Sequence, residues 1–314
     1  MPETGSPPGT DDTPAPCGRF APSPTGPLHF GSLVSAVASL LQARRRGGRW
    51  LVRIEDLDPP REVPGAADAI LAALDHHGLA WDGPVLYQST REDAYLDALE
   101  RLAAAGLTYR CTCSRKVIAR VAAAGIAGPI YPGTCRRKPP PAGRRSAIRL
   151  RVPAGIVAVS DGHFGRLELD VAGEIGDFVL RRADGLFAYQ LAVVIDDADQ
   201  AVSEVVRGSD LLDLTPAQIC LQRLLGFAVP AYLHHPVVTG PDGNKLSKQT
   251  GARGLDDGDP RPNLVAALAF LGQDPPEALR AASLDELWRW AIARWDPRRM
   301  PGRRDAPAPP RYEM

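Results

Sequence analysis

Arg19-Phe-Ala-Pro-Ser-Pro-Thr-Gly-Pro-Leu-His-Phe-Gly-Ser32 decides how the rest of the chain is read. Three prolines and two glycines make this stretch a stiff loop. A helical pattern follows at once, with Leu33, Val34, Val37, Leu40 and Leu41 at i, i+1, i+4, i+7 and i+8. Arg44 to Arg46 occupy its last turn, where cations suit the dipole, and Gly47 supplies the stop. A rigid loop carrying His29 therefore leads into a helix N-terminus, where free N–H groups and the positive dipole end favour an anion. Such a junction either only connects a strand to a helix or also holds a phosphate.

Outward from that loop, Trp50-Leu-Val-Arg-Ile-Glu55 reads as a buried strand with Glu55 and Asp56 at its end, where open α/β sheets bind their ligands. Ala66 to His77 and Gln88 to Gly106 read as helices. His76 and His77 are neighbours on the first and cannot share one face, so both are expected at the surface. From Leu107 to about Arg182 short runs, prolines and three cysteines replace this pattern, and Ala147–Val152 and Arg166–Asp170 alternate as strands do, so the segment is expected to be a mostly β insertion. Within it, Arg136 to Arg145 forms a basic, proline-rich loop, either simply solvated or in contact with RNA phosphates. The α/β pattern resumes at Phe187. Ala188–Ile195 is expected to be a strand ending at Asp196-Asp197, and Glu204–Arg207 another. Thr215-Pro216 opens a helix, with Thr215 as N-cap and Gly226 past its end. Two helices follow at Asn263–Leu271 and Leu284–Arg294, and the Pro/Arg-rich segment from Asp296 reads as a mobile tail.

Lys+Arg and Asp+Glu both number 37, so an RNA partner has to be met by a local basic patch, not by a global field. No apolar run is long enough to cross a bilayer. Residues 1–16 lack the apolar core of a signal peptide and read as a disordered tail. Five cysteines, an odd number, speak against a disulfide framework and for a reducing, cytoplasmic setting. The loop Gly240-Pro-Asp-Gly-Asn-Lys245-Leu-Ser-Lys248-Gln lacks P-loop spacing, and no strand is followed by Gly-x-Gly-x-x-Gly, which argues against a dinucleotide dehydrogenase. Lys245 and Lys248 are either an exposed pair or a grip on polyphosphate.

Cys111-Thr-Cys113 and Cys135 form a metal candidate, since alternate residues of a strand share a face and thiolates favour Zn²⁺. Free thiols are the alternative. A fourth ligand is needed, for which chemistry offers His163 and sequence proximity offers Tyr131. Cys17 and Cys220 are expected to be free. An anionic substrate group calls for a guanidinium, and Arg19 and Arg207 stand at strand ends of the α/β core. Glu55 suits an ammonium and Tyr189 offers a hydroxyl. Alternatively, Arg19 and Glu55 form a structural ion pair and Tyr189 is a core aromatic.

Arg-Phe-Ala-Pro-Ser-Pro-Thr-Gly-x-Leu-His-x-Gly resembles the HIGH region of class I aminoacyl-tRNA synthetases of the glutamyl and glutaminyl branch, and the loop around Lys245 and Lys248 resembles their KMSKS loop. The resemblance runs from about Gly18 to Trp295 and includes Tyr189-Gln-Leu-Ala-Val-Val-Ile-Asp-Asp and Val-Val-Arg-Gly-x-Asp-Leu-Leu. It implies a Rossmann-type catalytic domain over 17–106 and 187–240, an insertion with a zinc site over 107–186, and the KMSKS-like loop with a short helical region over 241–296. A second disordered tail is expected over 297–314. It implies His29 and Lys248 as catalytic phosphate stabilisers, with Gly31, Ser32 and Lys245 also at ATP and Mg²⁺ accompanying the nucleotide. Ser32 stands where HIGH has its second histidine, and a hydroxyl donates a hydrogen bond but carries no charge. It supports Arg19, Glu55, Tyr189 and Arg207 as glutamate-binding, with the loop Phe20, Ala21, Pro22 and Ser23 beside them. Cys-x-Cys…Tyr-x-x-x-Cys is similar to the zinc pattern of this branch, which selects Tyr131 over His163 and implies one structural ion.

About 65 residues follow the KMSKS-like loop, too few for an anticodon-binding domain. That shape resembles the glutamyl-Q tRNA(Asp) synthetases, which activate glutamate without tRNA and transfer it to queuosine in the anticodon of tRNA-Asp. The expected enzyme is a cytoplasmic monomer of that kind. The alternatives are a truncated synthetase charging the 3′ end of tRNA-Glu, a nucleotidyltransferase with a non-tRNA acceptor, and a non-catalytic zinc-containing RNA-binding module.

Overall fold

The computed structural model describes residues 15–246, 254–255 and 258–312. Its first half is built from β1 (Cys17–Phe20), α1 (Phe30–Arg44), β2 (Arg49–Ile54), α2 (Ala66–His76), β3 (Leu86–Tyr87) and α3 (Glu92–Ala104). The strands are parallel in the order β1-β2-β3, with Arg19 opposite Leu51 and Ile54 opposite Tyr87. The helical pattern after the stiff loop holds: Leu33, Val34, Val37, Leu40 and Leu41 of α1 are all buried.

The insertion contains β4 (Thr108–Cys111), α4 (Arg115–Val121), the small hairpin β5 (Ala124–Gly125) and β6 (Gly128–Pro129), and α5 (Thr134–Arg137). It continues through β7 (Ala147–Leu150), β8 (Ile156–Asp161), β9 (Gly165–Asp170), α6 (Val171–Glu174) and β10 (Val179–Arg181). β10, β7 and β4 form one antiparallel sheet. β8 and β9 instead join the main fold: after α7 (Tyr189–Asp199), β11 (Glu204–Gly208), α8 (Thr215–Leu225) and β12 (Ala231–His235), the second sheet runs β11-β12-β8-β9. Ser203 N–H donates to Cys17 O (2.9 Å), and Cys17 N–H donates to Ser203 Oγ (2.9 Å), which sets β11 beside β1. The parallel strands thus lie as β3-β2-β1 next to β11-β12, a doubly wound arrangement whose ligand crevice is at the strand ends around β1 and β11. One apolar layer joins α1 to α2, α9 (Arg261–Phe270) and α10 (Leu284–Arg294); another joins α3, α7 and α8.

Four expectations are corrected. Residues 188–195 are not a strand: Ala188 is the N-cap of α7 and 189–195 are its first turns. The run is apolar throughout because this helix is buried nearly all round, and a short continuous apolar run carries no period to tell the two apart. His77 is not at the surface: it is buried, its Nδ1 bonding Ala73 O at 2.7 Å and its Nε2 3.2 Å from Asn263 Nδ2, and burial holds its pKa low. His76 is exposed. Thr215 is the first helical residue of α8 rather than its cap, and its hydroxyl donates to Leu211 O (2.9 Å). The segment from 297 is not a loose tail over its described part. β14 (Asp305–Pro307) pairs in parallel with β13 (Val237–Thr239), and Tyr312 stacks on Phe30 with ring centres 4.0 Å apart. Its hydroxyl donates to Asn263 Oδ1 (2.6 Å). Among the described residues no helix is long and apolar enough to cross a membrane.

Candidate active site and metal centre

β1 ends at Phe20, whose ring stacks on Trp50 in the core (6.4 Å, 13°), so of this residue only the backbone is near the crevice. The chain then leaves the sheet as the loop Ala21-Pro22-Ser23, and Glu55 N–H donates to Pro22 O (2.9 Å), which ties that loop to the end of β2.

Beneath it is a buried charge cluster. Arg19 Nε donates to Asp197 Oδ1 (3.0 Å) and its Nη2 to Oδ2 (3.3 Å). Arg53 Nη2 donates to the same Oδ1 (2.7 Å), and its Nη1 to Gln200 Oε1 (2.7 Å). Burial raises the Asp197 carboxyl, but Arg19 and Arg53 more than offset this and hold it below the usual range. The adjacent Asp196 is held by Gln88, Tyr95 and Arg91. The pair that looked like a strand end is therefore the buried anchor of α7. Arg19 is engaged by Asp197, not by Glu55, so the Arg19–Glu55 pair is not the one formed.

Glu55 and Arg207 each keep an atom in reserve. Glu55 Oε1 is buried without a hydrogen-bond partner among the described residues; Arg53 Nη2 is 3.9 Å away. Burial pushes its carboxyl up to about 7, against the pull of Arg53 and Arg19. Arg207 is fixed on two sides, Nε donating to His234 Nε2 (3.0 Å) and Nη2 to Thr215 Oγ1 (2.8 Å), while its Nη1 is buried without a partner. His234 is itself oriented by Asp161, whose Oδ2 lies 2.7 Å from Nδ1. With Nδ1–H given to Asp161, Nε2 is the acceptor that Arg207 needs, and burial keeps the ring pKa low. Tyr189, half-buried at the start of α7, lies in the field of both: burial raises its phenol, Glu55 adds to the rise, and Arg207 and Arg19 oppose it. One nitrogen of a cation and one oxygen of a carboxyl are thus buried without a hydrogen-bond partner among the described residues, each at a cost. Asp197, Arg53, His234 and Asp161 were not singled out from the sequence. Their role depends on pairings such as Arg53 with Asp197, 144 residues apart.

His29 caps α1. Its Nδ1 accepts from Ser32 N–H (3.2 Å), and Nε2 lies 3.1 Å from the Ser32 hydroxyl. With Nδ1 an acceptor, Nε2 carries the proton of the neutral ring. A Cβ at Gly31 would come within 3.3 Å of that ring, so glycine lets it close over the helix end. Lys245 bonds Asp210, and Leu246 N–H donates to Val238 O (2.8 Å), which brings the start of the KMSKS-like loop back onto β13. Lys248 lies outside the described residues.

The cysteine candidates converge. The sulfurs of Cys111, Cys113 and Cys135 all lie within 4.8 Å of one another. β4 ends at Cys111, so Cys113 reaches the cluster from the turn beyond it rather than from the same strand face, and α5 brings Cys135. Cys113 Sγ is 3.6 Å from Cys135 Sγ and 3.5 Å from the Tyr131 hydroxyl. Tetrahedral zinc with bonds of about 2.3 Å to sulfur places ligands roughly 3.5–3.8 Å apart, so the donor set fits that ion. The Arg149 guanidinium lies over the Tyr131 ring, 4.0 Å from its centre, and holds the ring in place. His163 is elsewhere, its Nε2 2.9 Å from Pro301 O. Cys17 and Cys220 are buried apart from the cluster and unbridged.

A parallel sheet with this crevice, a capped anion-ready helix and a buried guanidinium define a nucleotide-dependent enzyme of the class I synthetase type, and the sequence agrees. Residues 17–292 match the family of tRNA synthetases class I (E and Q), catalytic domain. The chain belongs to that family. Within it, the chain is 58% identical over 280 residues to the glutamyl-Q tRNA(Asp) synthetase of Dechloromonas aromatica, covering 88% of this chain and 93% of that one. It is 54% identical over 284 residues to that of Chromobacterium violaceum, covering 90% and 95%. These matches put the chain among the glutamyl-Q tRNA(Asp) synthetases, which are ligases. The glutamate-tRNA synthetase of Elizabethkingia anophelis shares the fold, with a TM-score of 0.77 at 24% identity over 95% of this chain and 68% of that one.

Proposed function

We propose that the chain activates L-glutamate with ATP, without tRNA, and transfers it to queuosine in the anticodon of tRNA-Asp. The observation that supports the first half is the reserve held by Arg207 Nη1 and Glu55 Oε1, two buried atoms without a hydrogen-bond partner among the described residues. An amino acid with an anionic side chain carries both missing charges: its side-chain carboxylate takes the guanidinium, and its ammonium takes Glu55. Arg19 and Arg53 act mainly through Asp197, as the rigid floor of the site. The loop Ala21-Pro22-Ser23 borders it.

The α-carboxylate oxygen attacks the α-phosphorus of ATP, the bond to the β-phosphate oxygen breaks, and pyrophosphate leaves. His29, donating from Nε2, and Lys248 stabilise the developing phosphoryl charge, helped by the amides at Gly31 and Ser32 and by Lys245. Mg²⁺ neutralises phosphate charge when it accompanies ATP. A hydroxyl of the queuosine diol then attacks the acyl carbon; AMP leaves with the former carboxylate oxygen, the hydroxyl loses its proton, and an ester remains. The acceptor reading rests on the name shared by the relatives. Cys111, Cys113, Tyr131 and Cys135 would hold one structural Zn²⁺.

ATP–pyrophosphate exchange without RNA tests activation. Glutamate is expected to drive exchange, and aspartate and glutamine are not. Exchange equally supported by all three, or by none, would overturn the glutamate site.

A further inference from the structure

Pro301-Gly-Arg-Arg-Asp-Ala-Pro-Ala-Pro-Pro-Arg-Tyr312 holds four prolines and three arginines, a composition with little to bury, yet it is seated on the catalytic core at several places in turn. Pro301 O accepts from His163 Nε2 (2.9 Å). Arg304 O accepts from Val237 N–H (2.8 Å) and from the Ser209 hydroxyl, and the Arg304 guanidinium pairs with Asp213 (2.6 and 3.0 Å). Ser209 and Asp213 directly follow β11, the strand that carries Arg207. β14 then runs along β13, where Ala308 N–H donates to Thr239 O (2.8 Å). Val237 N–H and Thr239 O thus face the segment, and Val238 between them turns its peptide groups to the opposite edge. On that edge Val238 O accepts from Leu246 N–H (2.8 Å), and Lys245 bridges to Thr239. One strand therefore has the root of the lysine-bearing loop on one edge and this segment on the other. The segment next reaches the start of α1. Tyr312 stacks on Phe30 at 14°, and Phe270 closes the Phe30 ring edge-on at 6.2 Å. Phe30 is the first residue of α1 and follows His29, its N-cap.

We propose that the segment 301–312 is a brace for adenylate formation, with Tyr312 the positioning residue that holds His29 in register with the root of the lysine-bearing loop across β13. The inference rests on the phosphate role of His29 argued above and adds what keeps that ring in place. The seat of Tyr312 is built from a directed chain of hydrogen bonds. Ala73 O can only accept, so His77 carries its proton on Nδ1, and its Nε2 accepts from Asn263 Nδ2 (3.2 Å). That turns Asn263 Oδ1 toward Tyr312, whose hydroxyl donates to it (2.6 Å). Asn263 and His77 are both buried, so the chain has no water to exchange with and gives the ring one position. The Tyr312 ring then fixes Phe30, Phe30 fixes the first turn of α1, and the first turn carries His29 with the amide of Ser32 that binds it. A shift of about 1 Å at a group that stabilises the transition state can cost about a hundredfold in rate, so a brace at this point acts on turnover. The groups aimed at glutamate, Arg207 and Glu55, are held by their own buried partners and do not depend on the Phe30 stack.

The test is glutamate-dependent ATP–pyrophosphate exchange for Tyr312→Ala, Tyr312→Phe and Ala308→Pro, each run well below its own melting temperature. Equilibrium binding of glutamate counts the intact sites, and hydrogen exchange follows the amides of 28–34. Tyr312→Ala is expected to lower kcat at least about tenfold while KM for glutamate stays within about twofold and every chain keeps its glutamate site. A merely structural role would remove rate and sites in proportion. Tyr312→Phe, which keeps the ring, should regain most of the rate. Ala308→Pro deletes the N–H that Thr239 O accepts and should lower kcat with Tyr312 still present. An unchanged kcat in both Tyr312→Ala and Ala308→Pro, or a fall matched by an equal loss of glutamate sites, would overturn the brace. Absence of exchange in the unaltered protein, with the amides of 28–34 still exchanging faster in Tyr312→Ala than in Tyr312→Phe, would instead overturn glutamate activation and leave the brace standing.

Discussion

Two regions of this molecule handle charge in opposite ways. At the ends of β1, β2 and β11, arginines and carboxylates alternate inside the protein. The side chains of Arg19, Arg53 and Asp197 are exposed by only 4%, 0% and 6%, and they neutralise one another over 2.7–3.0 Å. In the insertion the charges from Arg110 to Arg151 all have one sign, most face solvent, and local order centres on three thiols and a phenol. The first region sets geometry: each guanidinium is aimed by a partner, and bulk salt reaches it little. The second sets a field, which a Debye length of about 10 Å at 0.1 M salt screens. One suits a small ligand held at fixed points; the other suits a long anion met along a surface.

The largest expected effect breaks the buried side of this contrast. Asp197→Ala leaves Arg19 and Arg53 without their shared counter-charge and should cost about 3–5 kcal/mol by urea unfolding. A loss under about 1 kcal/mol would mean the cluster does not hold α7 to the sheet. Next, Cys113→Ser should take zinc from one per chain to none by elemental analysis. It should cost about 3 kcal/mol of local stability, read as faster proteolysis within 108–137, while glutamate-dependent exchange persists. Metal-free protein with the same protease resistance would show that the insertion stands without an ion. A third substitution probes the segment that pairs with β13 and packs on Phe30. Tyr312→Ala gives up the Phe30 stack and the Asn263 hydrogen bond, and should cost about 2 kcal/mol; Tyr312→Phe, which keeps the ring, should cost about half of that.

The smallest effect is set by pH. Burial lifts the Glu55 carboxyl from 4.5 to about 7. Between those values the folded chain keeps a proton that the unfolded chain has lost, so this group's contribution to stability falls as pH rises from 4.5 to 7. Glutamate binding runs the other way, because the ammonium needs the ionised form. The KM for glutamate is therefore expected to fall about tenfold per unit as pH rises toward 7, then level off, and Glu55→Gln should flatten the curve. A KM for the unaltered enzyme that does not change between pH 5.5 and 8 would remove Glu55 from the ammonium site.

What the sequence disclosed, and what it hid, follows from the range of the interactions. α1 was legible because its large apolar residues, Leu33, Val34, Val37, Leu40 and Leu41, recur at helical spacing with small or polar residues between them, so its period shows in the sequence even though the helix is buried nearly all round. The stiff loop was legible because proline and glycine act locally. α7 was not, because packing on all sides erases its period, and Asp196 and Asp197 read as a polar end although arginines and a tyrosine from distant segments bury them. The ordered part of 297–312 was hidden by its own composition: arginine and proline look like loop, and nothing local announces that β13 offers a free edge or that Phe30 offers a ring. In the site, Arg19, Glu55, Tyr189 and Arg207 could be suspected from their places at strand ends. That Arg19 is taken by Asp197, and that His234 and Asp161 aim Arg207, depends on contacts no local pattern encodes. The cysteines were visible because their chemistry is, though Cys113 arrives from a turn and not from the strand.

The most direct test of the whole account uses radiolabelled glutamate, ATP and two preparations of tRNA-Asp, one carrying queuosine and one lacking it. Label is expected on the queuosine-bearing tRNA alone. Equal labelling of both, or label appearing on tRNA-Glu instead, would contradict it.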